Sequence, residues 1–319
     1  MRFFEEINAA RRYRTFVEAV GGVGQLKKTL MWSDWYAVKW WEEIFKELGL
    51  SSIRESVFAR ALYISLKIRG YVGEDGRVRK KVERPGYPTN SYALEFVELH
   101  ESLDRVGAVN LALNKAGEVV KILASAVPTS GWCRAIRRTF LDVVDVRRFD
   151  TIYEPVAKDG AVALSVFELH RPKLYIASDY KRENVELAAT VLKAKPEECV
   201  RGICIFSAPN ICDAAKAVRR YAPEGVSAVL MLFTLNWLVD PVMELSCVAS
   251  ALASGGRLLV GQQVVETMPG FVAMMAALGA KHVLSWRGVE QTLKAAGFRL
   301  ERRYLRYFPI YVAVWKIGG

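Results

Sequence analysis

Phe149-Asp150-Thr151-Ile152-Tyr153 is a short apolar run that ends in Glu154, and Pro155-Val156-Ala157-Lys158-Asp159-Gly160 follows it as a turn. Residues 161–169 then carry helical periodicity. A second run, Lys173-Leu174-Tyr175-Ile176-Ala177-Ser178, ends in Asp179, nineteen residues after Gly160. Strand, turn, helix and strand in this span read as a βαβ unit. Where such a unit holds a nucleoside, its first turn brings backbone close to the ligand. An acid at the end of the second strand then accepts hydrogen bonds from a ribose hydroxyl. Turn and acid both stand where that chemistry needs them.

Outward from this unit the same alternation continues. Val226-Ser227-Ala228-Val229-Leu230-Met231-Leu232-Phe233 reads as a later strand, followed by Thr234-Leu235-Asn236-Trp237-Leu238-Val239-Asp240-Pro241. Leu252-Ala253-Ser254-Gly255-Gly256-Arg257-Leu258-Leu259-Val260 opens another. After Ala295-Ala296-Gly297-Phe298, two apolar arms, 299–306 and 308–315, close the chain as an antiparallel pair. Strand-length runs alternating with helices predict a doubly wound α/β domain over residues 149–319.

Over that span the chain resembles the class I S-adenosylmethionine-dependent methyltransferases, whose Rossmann-like sheet also ends in an antiparallel hairpin. The family's first motif is an acid with glycines at the second, fourth and sixth following positions. Here the acid is Glu154 and the last glycine is Gly160, while Val156 and Lys158 replace the other two. The resemblance implies S-adenosyl-L-methionine as cofactor. It places contacts to that cofactor at Glu154, Pro155, Val156, Gly160, Asp179, Tyr180, Ser207, Thr234 and Leu235. Asp179 would take the ribose diol, and Glu154 the ligand's amino end. Taken singly, both acids also fit ordinary strand-end positions.

The two replaced glycines shape the expectation further. Val156 adopts positive φ only at a cost, so the turn is expected to take another path than the family's. Lys158 either pairs with the cofactor carboxylate or points to solvent, and solvent is the preferred reading.

Residues 1–70 read as helices, at 15–30, at 35–48 and after a Ser51-Ser52 cap. Tyr71 to Val78 forms two short arms around Asp75-Gly76, a hairpin signal. Helices followed by a ribbon make the plan of a winged helix. Residues 91–124 are again helical, 127–131 read as a loop, and 131–148 as an arginine-bearing linker between a domain at 1–130 and the one at 149–319. With this N-terminal half the nearest resemblance is to the two-domain small-molecule O-methyltransferases, in which the winged helix builds a homodimer and closes the acceptor pocket. The aromatic cluster Trp32, Trp35, Tyr36, Trp40 and Trp41 presents rings on more than one side, which is a second reason to expect a homodimer.

The chain has 319 residues, 52% hydrophobic and 25% charged, which suits a folded protein of two domains. No stretch reaches the ~18 apolar residues of a membrane helix, and the acidic N-terminal region lacks the apolar run of a signal peptide, so the expected location is cytoplasmic and no membrane partner is expected. Five scattered cysteines without a CxxC pair, and three separated histidines, predict no metal site. The cysteines read as small, mostly buried apolar residues. Net charge is +11, spread evenly: +6 over residues 1–150 (25 basic against 19 acidic) and +5 over 151–319 (20 against 15). Arg60, Lys67, Arg69, Arg77, Arg79, Lys80, Lys81 and Arg84 gather around the hairpin. They could meet nucleic acid, although a solvated basic face is the preferred reading.

For catalysis, the family's Leu-His-x-Trp-x-Asp run aligns Asn236 with the histidine that acts as general base. Asparagine accepts no proton near neutrality, and a positioned base typically supplies about 10²–10⁴ in rate. An acidic phenol, a neutral amine or a carboxylate would need less help. Asn236 and His282, a candidate substitute base, are therefore the catalytic positions to examine, and Met268, Met274 and Met275 are candidates for an apolar pocket. The expected function is methyl transfer to a small, partly apolar acceptor. The alternatives are a catalytically silent binding or regulatory protein of the same fold and a winged-helix nucleic-acid binder. RNA methylation is disfavoured, because no Asn/Asp-Pro-Pro-aromatic motif follows the later strand.

Overall fold

The computed structural model describes residues 13–115, 117–304 and 309–318. Arg306 and Phe308, the inner ends expected for the two closing strands, lie outside the described residues, as do residues 1–12.

The N-terminal half contains α1 (Val23–Leu48), α2 (Ser52–Glu55), α3 (Val57–Ile68), α4 (Ser91–Asp104), α5 (Ala108–Ala112), α6 (Gly117–Thr129) and α7 (Gly131–Val143). The helix break expected after residue 30 falls instead at Gly21-Gly22, whose φ angles of 86° and 93° suit only glycine. From there α1 runs unbroken through Trp32, Ser33 and Asp34. Ser51 stands, as expected, at the start of a helix, the single turn α2, but without a side-chain cap bond, and the longer helix α3 is capped by Ser56, which accepts from Ala59 N. The ribbon is one antiparallel bridge, Val72 to Val78, around Asp75-Gly76. A side chain at Gly76 would come within 2.5 Å of the Phe45 ring, so the turn can press onto α1 only with glycine there.

Three expectations for this half change on packing. Four of the five rings of the aromatic cluster are covered from within the chain, and the half-buried Trp35 lies under Arg84, so the cluster leaves few rings for a second copy. Trp32, Tyr36, Trp40 and Trp41 are buried. Their indoles donate to the Gly86 carbonyl, the Asp104 carboxylate and the Gly76 carbonyl respectively for Trp32, Trp40 and Trp41. Much of the basic cluster is likewise engaged internally. Lys67 pairs with Glu74, Arg69 with Asp34 and Arg79 with Asp75, and Arg84 lies over the Trp32 and Trp35 rings. Finally, the loop expected at 127–131 shrinks to Ser130, which caps α7, and most of 131–148 is that helix, with Trp132, Ile136 and Phe140 buried.

The second half builds one eight-stranded sheet from β1 (Thr151–Glu154), β2 (Leu174–Asp179), β3 (Cys199–Val200), β4 (Ile203–Ser207), β5 (Val226–Leu232), β6 (Leu252–Gln262), β7 (Phe298–Arg303) and β8 (Tyr311–Ile317). Strand order is β3-β4-β2-β1-β5-β6-β8-β7. The pairs from β4 through β6 are parallel, and β8 joins β6 and β7 antiparallel. Successive side chains point to opposite faces. Ile152, Tyr175 and Ala177 therefore enter one core, and Tyr153, Ile176 and Cys204 the other. The crossovers are α8 (Ala161–Leu169), α9 (Arg182–Leu192), α10 (Ile211–Tyr221), α11 (Pro241–Ala249), α12 (Pro269–Ala277) and α13 (Trp286–Ala295).

α12 ties the halves together. It packs on α1 and α3, and Gly270 N donates to Ser33 Oγ at 3.0 Å. One core thus runs from the N-terminal helices onto a face of the sheet. Among the described residues no helix is long and apolar enough to cross a membrane. The reading of the cysteines as apolar filler is corrected: Cys199–Cys204 and Cys212–Cys247 are disulfides, and Cys133 alone is free and buried. Folding brings together partners that no local spacing announces.

Candidate functional site

The order of strands reverses between β1 and β5, since β2 and β4 lie on one side of β1 and β6 on the other. In an open parallel sheet the crevice at the carboxyl ends of the strands beside that reversal is the usual ligand site. A cavity of about 380 Å³ lies there, a size within the ~300–1,000 Å³ of small-molecule pockets. Its polar wall comes from the β1–α8 turn and α7, with Glu154, Lys158, Asp159 and Arg137. Its apolar wall includes Val127, Phe233, Trp237, Phe271, Met275 and Leu278.

The turn is held by the end of β2. Ala157 N donates to the Ser178 carbonyl at 2.8 Å, and Ser178 Oγ donates to the Pro155 carbonyl at 3.2 Å. Positive φ occurs at Lys158 (48°) and Gly160 (75°), while Val156 keeps negative φ and lines the cavity. The turn thus takes a path that needs no glycine at 156. It places a lysine in the left-handed region instead, at a cost of order 1–3 kcal/mol. Phe233, at the end of β5, also has positive φ, 55°. Both line the cavity, while Asn114, Asp145, Lys193, Glu197 and Arg201 share the conformation elsewhere. Gly160 is favoured twice over, by its positive φ and because a Cβ there would stand a tight 3.1 Å from Ala188 Cα of α9.

Glu154 is buried and accepts a hydrogen bond from Tyr175 Oη at 2.6 Å. Burial pushes its carboxyl up to about 8, with Tyr175 and the Lys158 ammonium acting the other way and Asp159 and Asp179 reinforcing the rise. Lys158 is half-buried, with its ammonium 4.9 Å from the centre of the Trp237 ring. It therefore faces the cavity and not solvent, which corrects the preferred reading. Burial lowers its amine, opposed by Asp159, Asp179 and Glu154.

Asp179 sits beneath the turn and not in the cavity wall. Its Oδ2 accepts from Lys158 N at 2.9 Å, and its Oδ1 accepts from Lys181 N at 2.9 Å and Asn184 Nδ2 at 3.1 Å. With two lone pairs per oxygen, only one acceptor direction, on Oδ2, remains for a ribose hydroxyl. Of the other expected cofactor positions, Glu154, Val156 and Tyr180 line the cavity, whereas Pro155 and Gly160 shape the turn. Ser207, Thr234 and Leu235 do not line it: Ser207 N donates to Glu197, Thr234 Oγ1 to the Leu232 carbonyl, and Leu235 N to Gln262.

The two catalytic candidates are also outside the wall. Asn236 is buried with its Oδ1 accepting from Gln262 Nε2 at 3.2 Å, and its carbonyl accepts from Lys281 N and His282 N. His282 Nε2 lies 2.9 Å from the Leu238 carbonyl. Both side chains therefore brace the loop after β5. Trp237, the residue after Asn236, is the one that reaches the cavity. Among the three methionines considered, Met275 lines the cavity while Met268 and Met274 are fully buried in the core.

Sequence reasoning passed over Cys133, Arg137, Phe233 and Phe271. A signal for Arg137 did exist: it stands four residues from Cys133 and from Leu141 on the buried stripe of α7, where an apolar residue belongs. Among the described residues no group of three or more His, Cys, Asp or Glu side chains is placed to hold a metal ion.

No protein-family profile matches the chain, and no curated protein matches it by sequence. Solved structures do. The CurJ carbon methyltransferase superposes with a TM-score of 0.65 at 13% identity, covering 99% of this chain and 98% of that one. An O-methyltransferase family 2 protein from Planctomyces limnophilus, in complex with apigenin, gives 0.57 at 12% identity over 92% and 96%. A methyltransferase of calicheamicin biosynthesis in its SAH-bound form gives 0.50 at 15% identity over 82% and 83%. The chain shares the fold of these methyltransferases over nearly its whole length.

Proposed function

We propose that this chain is an S-adenosylmethionine-dependent methyltransferase that acts on a small, partly apolar acceptor without a histidine base. The observation that carries the reading is the cavity at the β1/β5 reversal, with a buried acid and a backbone turn on one wall and aromatic rings on the other. The cofactor fits this chemistry at its cationic end. Glu154 is buried among groups that leave its charge poorly compensated, and a bound ammonium or sulfonium would restore its ionised form. When bound, the cofactor supplies a methyl group activated by the sulfonium. Fit at the ribose is limited, since Asp179 already serves three donors of the chain itself, and Lys158 stands where the family keeps a glycine.

The chain's own residues then do the following. Glu154 holds the cationic end, and the β1–α8 turn sets its distance from the sheet. Phe233, Trp237 and Phe271 seat the apolar part of the acceptor and exclude water, and positioning supplies much of the acceleration. No proton acceptor is supplied by Asn236 or His282, so the acceptor is one whose nucleophile needs little help: an acidic phenol, a neutral amine, a carboxylate or an acidic carbon; the CurJ enzyme is named as a carbon methyltransferase. In this proposal residues 1–130 close the acceptor side, 149–319 hold the cofactor, and α7 between them adds to the polar wall of the cavity. The homodimer implied by the resemblance, and the cytoplasmic location expected from the sequence, belong to the same reading.

Calorimetric titration with S-adenosylhomocysteine, followed by transfer from labelled S-adenosylmethionine to a panel of those four acceptor classes, tests it. Micromolar binding with transfer to one class is expected. Absence of binding would overturn the proposal, and binding without transfer to any class would favour a catalytically silent relative.

A further inference from the structure

Five arginines lie between residues 131 and 148, and four of them are on the surface. Arg134 pairs with Glu168, Arg147 with Asp142 and Arg148 with Asp145, and Arg138 is exposed. Arg137 is different. Only 7% of it is exposed, and it lines the cavity beside Cys133. Its Nη1 donates to the Pro128 carbonyl, but its Nε is buried with no hydrogen-bond partner. Among the described residues Arg137 forms no ion pair; Glu154 and Asp159 act on it only at longer range.

A guanidinium buried in this way is costly unless an anion completes it. Its planar fork matches a carboxylate or phosphate with two parallel hydrogen bonds. The same wall carries Asp159, and Glu154 once a bound cation restores its ionised form; together they would repel a phosphate dianion more strongly than a single carboxylate. A zwitterion fits both signs at once, with its carboxylate on Arg137 and its ammonium toward Glu154. We propose that Arg137 is the carboxylate anchor of the cavity and takes the amino-acid carboxylate of the bound cofactor. This rests on the cofactor reading above.

The test uses the full chain and two ligands that differ in one part. S-adenosylhomocysteine carries the amino-acid group, and 5′-methylthioadenosine has the nucleoside and thioether without it. Calorimetry is run on the wild type, Arg137→Lys and Arg137→Met, with circular dichroism and melting as checks on folding. Wild type is expected to prefer S-adenosylhomocysteine by at least about tenfold, the scale of charge-assisted hydrogen bonds. Arg137→Met should lose most of that preference, keeping only the part that Glu154 gives through the ammonium, with 5′-methylthioadenosine affinity changed less than about threefold, and Arg137→Lys should fall between. Ligand-free Arg137→Met should melt no lower than wild type, because it removes an incompletely paired buried charge. A purely structural arginine would predict a lower melting point and equal losses for both ligands, and that outcome overturns the anchor while leaving the cofactor reading in place. If Arg137→Met binds S-adenosylhomocysteine normally but loses an acceptor-type carboxylate such as benzoate, the assignment to the cofactor is wrong. If wild type binds neither nucleoside, the cofactor reading itself fails and the anchor falls with it.

Discussion

Glu154→Gln should make the protein's stability less dependent on pH, and the size of the effect follows from the site. The Glu154 carboxyl titrates near its ordinary 4.5 in the unfolded chain and at about 8 in the folded one, because burial outweighs the Tyr175 hydrogen bond. Below pH 4.5 both states are protonated and the residue costs nothing. Between 4.5 and about 8 the unfolded chain ionises while the folded one keeps its proton, so wild type loses stability as pH rises. At about 1.36 kcal/mol per pH unit the loss has an upper limit near 5 kcal/mol. It levels off once the folded carboxyl also ionises. Glutamine keeps an acceptor for Tyr175 and carries no charge, so the variant should match wild type at pH 4.5 and exceed it by several kcal/mol at pH 8. Urea denaturation of both proteins at half-unit steps from pH 4.5 to 9 measures this difference, and subtracting the two curves removes every other titrating group. Curves that stay parallel within about 0.5 kcal/mol would show that Glu154 is ionised in the folded protein and that the cavity has no unmet demand for a cation.

Breaking the Cys212–Cys247 disulfide, which spans 35 residues, should cost about 4 kcal/mol by loop closure. Breaking Cys199–Cys204, which spans five, should cost only about 2 kcal/mol. Denaturation of the two double-serine variants, with and without reductant, separates them, and equal losses would mean that loop entropy is not the cause. Asn236→Ala should lower stability by about 1–2 kcal/mol through the lost bond to Gln262. Asn236→His should leave methyl transfer within about tenfold of the parent, since that side chain points away from the cavity. A hundredfold gain, in the range of a working base, would show that the histidine position is catalytic after all.

Local pattern determined much of this protein. The run ending in Glu154, the helix Ala161–Leu169, the strand ending in Asp179 and the strand opening at Leu252 were all readable from the sequence. A strand's alternation and a helix's stripe are written into neighbouring residues, and glycine or proline punctuates them. The doubly wound class follows from their order. What the tertiary structure alone decided is where the polar side chains end up. Asp179 is turned under the loop it was expected to complement, because Lys158, twenty-one positions earlier, supplies the N–H that satisfies it. Asn236 faces Gln262 across the end of β6. The tryptophans of α1 are roofed by residues about thirty-five to sixty-five positions downstream, and Arg69 reaches the carbonyls of Glu266 and Thr267 nearly two hundred away. A carboxylate, an indole or a cysteine carries no mark of its partner in its own neighbourhood. Its direction is set by which distant backbone or side chain is packed against it, so the elements of this fold were legible one at a time and the site only after they met.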